Sequence, residues 1–124
     1  MFPVFCRLLI VSFLVTSAAS CGAVKSRYNV KAMKEREAVL RDELFQMRRV
    51  IDQYAAEKGK LPQSLKDLVE GGYLRQIPED PITQKPDWKL IMGEDPNSKG
   101  RVGILDIRSS SSEKSTEGTP YNDW

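Results

Sequence analysis

The sequence contains no histidine. That removes the commonest general base and the commonest transition-metal ligand together. Cysteine is nearly as scarce, with Cys6 and Cys21 alone, both close to the start. Cys6 falls in a segment that reads as removed on export, so Cys21 is left without an intramolecular partner. Disulfide frameworks, zinc–thiolate clusters and redox pairs are thereby excluded. Excess charge of one sign is missing too: Lys plus Arg is 19, Asp plus Glu is 17, and the net charge is +2. Such a balance offers no basic field to nucleic acid, which is not an expected partner, and no acidic tail. With 124 residues, one domain is expected.

The N-terminus is organised like an export signal. Residues 1–7 carry one positive charge, residues 8–15 (LLIVSFLV) form an apolar run, and residues 16–20 (TSAAS) are small and polar. Cys21 follows. The string AAS-C resembles a bacterial lipobox, in which the cysteine becomes the lipidated first residue of the mature chain. Its position three residues before the cysteine is Ala18, where the strongest lipoboxes carry Leu. Two alternatives stay open: cleavage after Ser20 with release, and retention of the uncharged residues 8–24 as a membrane anchor. The expected division is a signal over residues 1–20, a tether over 21–30 and a folded domain over 31–124. On the lipobox reading the site of lipid attachment would be Cys21, and the domain is expected in the bacterial cell envelope, membrane-anchored in the periplasm or elsewhere outside the cytoplasm.

The tether gives way to a helical pattern. Leu40, Leu44, Met47, Ile51 and Tyr54 are spaced 4, 3, 4 and 3 apart, a single apolar stripe. Ala38, Phe45, Val50 and Ala55 widen it, and charged residues fill the positions between. Neither Gly nor Pro occurs from Val30 to Lys58, and Gly59 is a natural stop, so a helix is expected from about Lys31 to Lys58. Ser64 can cap a short helix, with Asp67 three residues on as its capping-box partner and Leu65, Leu68 and Val69 as its apolar face. Pro78 and Pro81 bar helix or central strand from the next segment. Residues 88–92 (WKLIM) and 102–107 (VGILDI) read as strands, joined by a turn-rich stretch into an antiparallel hairpin. A polar serine-rich loop follows, and the terminal Trp124 is expected to be docked. The fold class is α+β: a long N-terminal helix packed on a small antiparallel sheet, with a short second helix.

From Leu40 to Trp124 this order resembles the major pseudopilin family of type II secretion systems. Residues 41–54 (RDELFQMRRVIDQY) are similar to the end of that family's spine helix, where an Ile-x-x-Tyr pair includes Tyr54. Residues 58–62 (KGKLP), ending at Pro62, resemble its Gly-x-x-Pro step. Residues 65–74 (LKDLVEGGYL) resemble its short helix and Gly-Tyr-Leu exit at Tyr73. Residues 77–81 (IPEDP) match its Leu-Pro-x-Asp-Pro crossing at Asp80 and Pro81. The closing YNDW resembles its Asn-Trp or Asp-Trp end at Trp124. The resemblance implies a pilin-like fold and a structural, non-enzymatic role in a secretion or type IV pilus-related assembly, with other pseudopilin or secretion subunits, or further copies, as partners. It also implies a calcium site in the loop before the terminus, where Glu113, Glu117 and Asp123 are the carboxylates on offer; no other cofactor is expected. The family's N-terminal Phe-Thr-Leu-x-Glu helix has no counterpart, since the first acidic residue is Glu35. That departure keeps open a stand-alone lipoprotein using a similar head to bind a protein or surface ligand.

Asp80, between two prolines, reads as a turn residue whose carboxylate satisfies local backbone donors. The serines at 109–112 read as a solvated, flexible linker, since no base accompanies them. Helix charges such as Glu37 and Arg41, four apart, read as a solvated i,i+4 pair. Phe45 and Val50 stray from the stripe and are the positions expected to meet a partner. No nucleophile–base pair is readable, and catalysis is not expected.

Overall fold

The computed structural model describes residues 19–124, with side chains from residue 26 onward. Residues 1–18, and with them nearly all of the expected signal, lie outside the described residues, as does the side chain of Cys21. The chain divides into two compact units, Met1–Met33 and Lys34–Trp124. Helix α1, Ala19–Lys58, runs through the boundary between them. It starts well before Lys31, so residues 21–30, expected as a tether, are helical. Ala19, Ala23, Lys25 and Arg27 are good helix formers, and the lone Gly22 costs only about 1 kcal/mol. In the first unit Tyr28, Val30 and Met33 are exposed. No helix among the described residues is long and apolar enough to cross a membrane.

The second unit is α+β, with one core. The stripe on α1 is buried along its length: Leu40, Leu44, Met47, Ile51 and Tyr54 are all at most 8 % exposed. Each such side chain contributes about 1.5–3 kcal/mol on leaving water. They share the core with Leu65 and Leu68 of α2 (Leu65–Glu70), with Trp88, with Ile104 and Ile107, and with Tyr121. Val50 packs against this cluster, whereas Phe45 is 63 % exposed and Ala38 faces solvent, so neither widens the stripe. The position that does widen it is Glu37, which is buried.

Helix α2 forms where the sequence places it. The Ser64 hydroxyl accepts from the Asp67 amide at 3.4 Å, and Asp67 accepts from the Gln63 amide at 3.0 Å. Such a cap contributes about 1 kcal/mol. Gly72, at φ +80, turns the chain out, and the Tyr73 amide bonds back to the Leu68 carbonyl at 2.9 Å.

Strands β1 (Lys89–Glu94) and β2 (Val102–Arg108) form the antiparallel hairpin. The register shifts between Ile91, opposite Asp106, and Met92, opposite Ile104, so Leu105 is an extra residue on β2. The bulge answers a conflict in the sequence. Ile104 and Ile107 are an odd number apart, and strict alternation would send one of them to solvent. With the extra residue both reach full burial and Leu105 takes the exposure. Two glycines permit close approach here. The Leu105 side chain lies where a Cβ on Gly93 would be, and Leu61 lies where one on Gly103 would be. Beside Gly103, the Ile104 amide donates to the Pro62 carbonyl at 2.8 Å, tying the connector to β2.

Candidate functional site

Four side chains on one face of α1, Glu37, Arg41, Leu44 and Arg48, follow at helical spacing and receive the C-terminal segment. Glu37 is 2 % exposed. Its carboxylate accepts from the Thr116 amide at 2.7 Å, the Thr116 hydroxyl at 2.7 Å and the Tyr121 hydroxyl at 2.8 Å. Burial pushes the Glu37 carboxyl up, but the Thr116 and Tyr121 donors and the nearby Arg41 charge together hold it below its ordinary value. The Tyr121 phenol moves the other way, pushed up to about 12 by burial and by the Glu37 carboxylate it donates to. The solvated Glu37–Arg41 pair expected from sequence is therefore not what forms. Arg41 instead pairs with Glu117 at 3.0 Å, and its guanidinium lies over the Trp124 ring at 4.4 Å.

One turn beyond Leu44, Arg48 acts as a fork. Its Nε donates to Asp106 Oδ1 at 2.8 Å, and its Nη2 to the main-chain oxygens of Ile107 at 3.0 Å and Trp124 at 2.9 Å. One side chain so joins helix, strand and terminus. Tyr121, which opens a short 3-10 turn (Tyr121–Asp123), is fully buried, and Trp124 packs edge-on against it at 5.3 Å. The Trp124 indole N–H donates to Thr119 Oγ1 at 3.0 Å. The expectation of a docked Trp124 holds. Between helix and terminus lies an open groove of about 430 Å³, lined by Arg41, Leu44, Phe45, Arg48, Glu117 and Trp124.

The remaining motif residues serve the frame. Tyr73 packs edge-on to Tyr54 at 5.3 Å and donates its hydroxyl to Glu57. Glu57 is held below its ordinary value by that bond, and the Tyr73 phenol is pushed up to about 12. Pro62 is fully buried beneath β2. Asp80 is fully buried and accepts from the Ile82 amide at 2.8 Å and from the Ser109 hydroxyl, while Pro81 follows it into the turn. The local turn role expected for Asp80 is what it does. Ser109 corrects the expectation of a solvated serine linker, because it is fully buried on that bond. Trp88 donates to the Pro78 carbonyl at 2.7 Å and closes the proline crossing.

The expected calcium carboxylates do not converge. Glu117 is committed to Arg41, Glu113 and Asp123 are exposed, and among the described residues no group of three His, Cys, Asp or Glu side chains could hold a metal ion. Sequence reasoning missed Glu37, Arg48 and Asp95. Asp95 is 2 % exposed in the β1–β2 turn, where it accepts from the Asn97 amide at 2.9 Å and the Leu61 amide at 2.8 Å. For Glu37 and Arg48 a signal existed: both adjoin the apolar stripe. Comparison of the chain with protein-family models, with curated proteins and with solved structures returns no match.

Proposed function

We propose that this chain is a structural, non-enzymatic, pseudopilin-like component of a type II secretion or type IV pilus-related assembly, held at a membrane of the bacterial envelope through its N-terminus. The single observation that carries this reading is the way the resemblance residues enter one frame. Tyr54, Pro62, Tyr73, Asp80, Pro81 and Trp124 are scattered along the sequence. They lie along a helix-on-hairpin body in which Tyr54 meets Tyr73, Pro62 bonds β2, Asp80 bonds Ser109 and Trp124 is clamped to α1. A protein that works by packing needs this kind of body. Its polar groups are spent on fixing chain segments, and Phe45 is left exposed beside a groove. Lipidation at Cys21 would supply the anchor; one acyl chain binds only marginally, so attachment would require more than one.

The test is deletion in the native host with quantitation of exported proteins, complemented by the wild-type chain or by Phe45→Glu. Loss of export restored by the wild type but not by Phe45→Glu is expected. Undiminished export in the deletion strain would refute an assembly role. The absence of an acidic residue before Glu35 favours a second reading, a stand-alone binding lipoprotein. That reading requires a monomer in detergent that never co-purifies with filaments.

A further inference from the structure

We propose that residues 113–121 are held in place by the Glu37 carboxylate of α1, a lock that takes the place of a cation and needs none. A calcium site presents several oxygens, some of them charged, toward one point. This loop presents the opposite polarity. The Thr116 amide, the Thr116 hydroxyl and the Tyr121 hydroxyl, all donors, aim at one buried carboxylate from another element. Several of the oxygens that a cation would draw on are engaged within the loop or by α1. The Ser115 carbonyl accepts from the Gly118 amide at 3.0 Å, and the Thr119 carbonyl from the Ser115 amide at 2.8 Å. The Ser115 hydroxyl accepts from the Glu117 amide at 3.2 Å and lies 3.1 Å from the Thr119 hydroxyl. The Glu113 carbonyl accepts from the Tyr121 amide at 3.0 Å, and the Glu117 carboxylate faces Arg41.

Those three donors meet the negative charge where the chain crosses back onto the helix. Glu37 lies on the same face of α1 as Arg41 and Arg48, so the lock also sets the Glu117 and Trp124 edges of the groove. The lock forms whether or not the protein belongs to a secretion assembly.

Lys114 is exposed inside the locked segment, so tryptic cleavage after it reports how often the loop opens. The experiment uses the detergent-solubilised full chain, with cleavage at Lys114 followed by mass spectrometry in calcium and in EGTA. Thermal unfolding is recorded under the same conditions. The wild type is expected to be cut at the same slow rate, and to melt at the same temperature, in both. Glu37→Ala is expected to be cut about tenfold faster or more in both, since three bonds to a buried acceptor are lost. Tyr121→Phe and Thr116→Val keep the packing and remove one bond each; they carry the test should Glu37→Ala not fold, and a smaller acceleration is expected of each. Faster cleavage of the wild type in EGTA, or a melting point raised by calcium, would overturn the proposal. So would unchanged cleavage at Lys114 in Tyr121→Phe and Thr116→Val.

Discussion

Replacing Arg48 by Ala should cost more than any other surface-reaching substitution in the second unit, because three chain segments meet on its guanidinium. The ion pair with Asp106 joins side chains that are 40 % and 35 % exposed, so solvent screening limits it to about 0.2–1 kcal/mol. The bonds to the Ile107 and Trp124 main-chain oxygens are charge-assisted but half-solvated, about 0.5–1 kcal/mol each. Loss of the aliphatic stem along the groove adds a few tenths, which brings the total to about 1.5–3 kcal/mol. In a domain of this size that corresponds to roughly 6–15 °C in melting temperature. Asp106→Asn keeps an acceptor for its neighbours and should cost only about 0.5–1 kcal/mol. The double mutant should fall short of additivity by about 0.5 kcal/mol. Tryptophan fluorescence through a thermal ramp of the solubilised full chain reads all three, with Trp88 in the core and Trp124 at the terminus both contributing. Arg48→Lys is the sharper control. Its single ammonium cannot reproduce the fork and should recover less than half the loss. Full recovery by Lys, or an Arg48→Ala protein as stable as the wild type, would refute the picture of a clamped terminus.

Ile104→Ala should destabilise by about 2–5 kcal/mol in urea titration, as for any fully buried aliphatic, while Leu105→Ala, exposed at the bulge, should cost less than about 1 kcal/mol. Equal costs would mean that strand β2 is not bulged as described. Gly103→Ala should cost about 1–3 kcal/mol, because the new methyl would meet Leu61 and strain the bond between Ile104 and Pro62; equilibrium unfolding measures it. Acid should weaken the protein partly through Glu37. Its carboxyl lies below the ordinary 4.5, so its contribution is complete above that value and disappears as pH falls through the lowered one. Melting temperatures from pH 6 down to pH 3 should therefore fall less steeply for Glu37→Gln than for the wild type. The exposed Glu57 and Asp87, also held low, are common to both proteins and cancel in the comparison.

Much of the frame was legible in sequence because periodicity and turn chemistry act locally. The α1 stripe, the Ser64 cap, the Gly72 exit and the two strands each follow from residues within a few positions of one another. What could not be read is non-local. Glu37 adjoins the apolar stripe, but nothing near it in sequence shows what it binds, because Thr116 and Tyr121 arrive from the far end of the chain. Ser109 looks like the serines after it until Asp80 is set beneath it. Asp95 sits in a turn where an aspartate needs no explanation, and only the fold reveals that it also caps Leu61. The Leu105 bulge was hidden for a different reason: the odd spacing of Ile104 and Ile107 has two solutions, and the packing of both against α1 selects one. The helical state of residues 21–30 reflects propensity over a stretch whose mixed polarity had suggested a tether.

The proposed role turns on whether the exposed Phe45, beside the groove between α1 and the terminus, meets other subunits of an envelope assembly. A photo-reactive amino acid at position 45, irradiated in intact cells, measures that directly. Expected is a discrete adduct with a membrane-associated pilin-like subunit or a second copy of the chain, lost when the assembly is dismantled. A chain that stays uncross-linked at position 45 while the cells are actively exporting protein would contradict it.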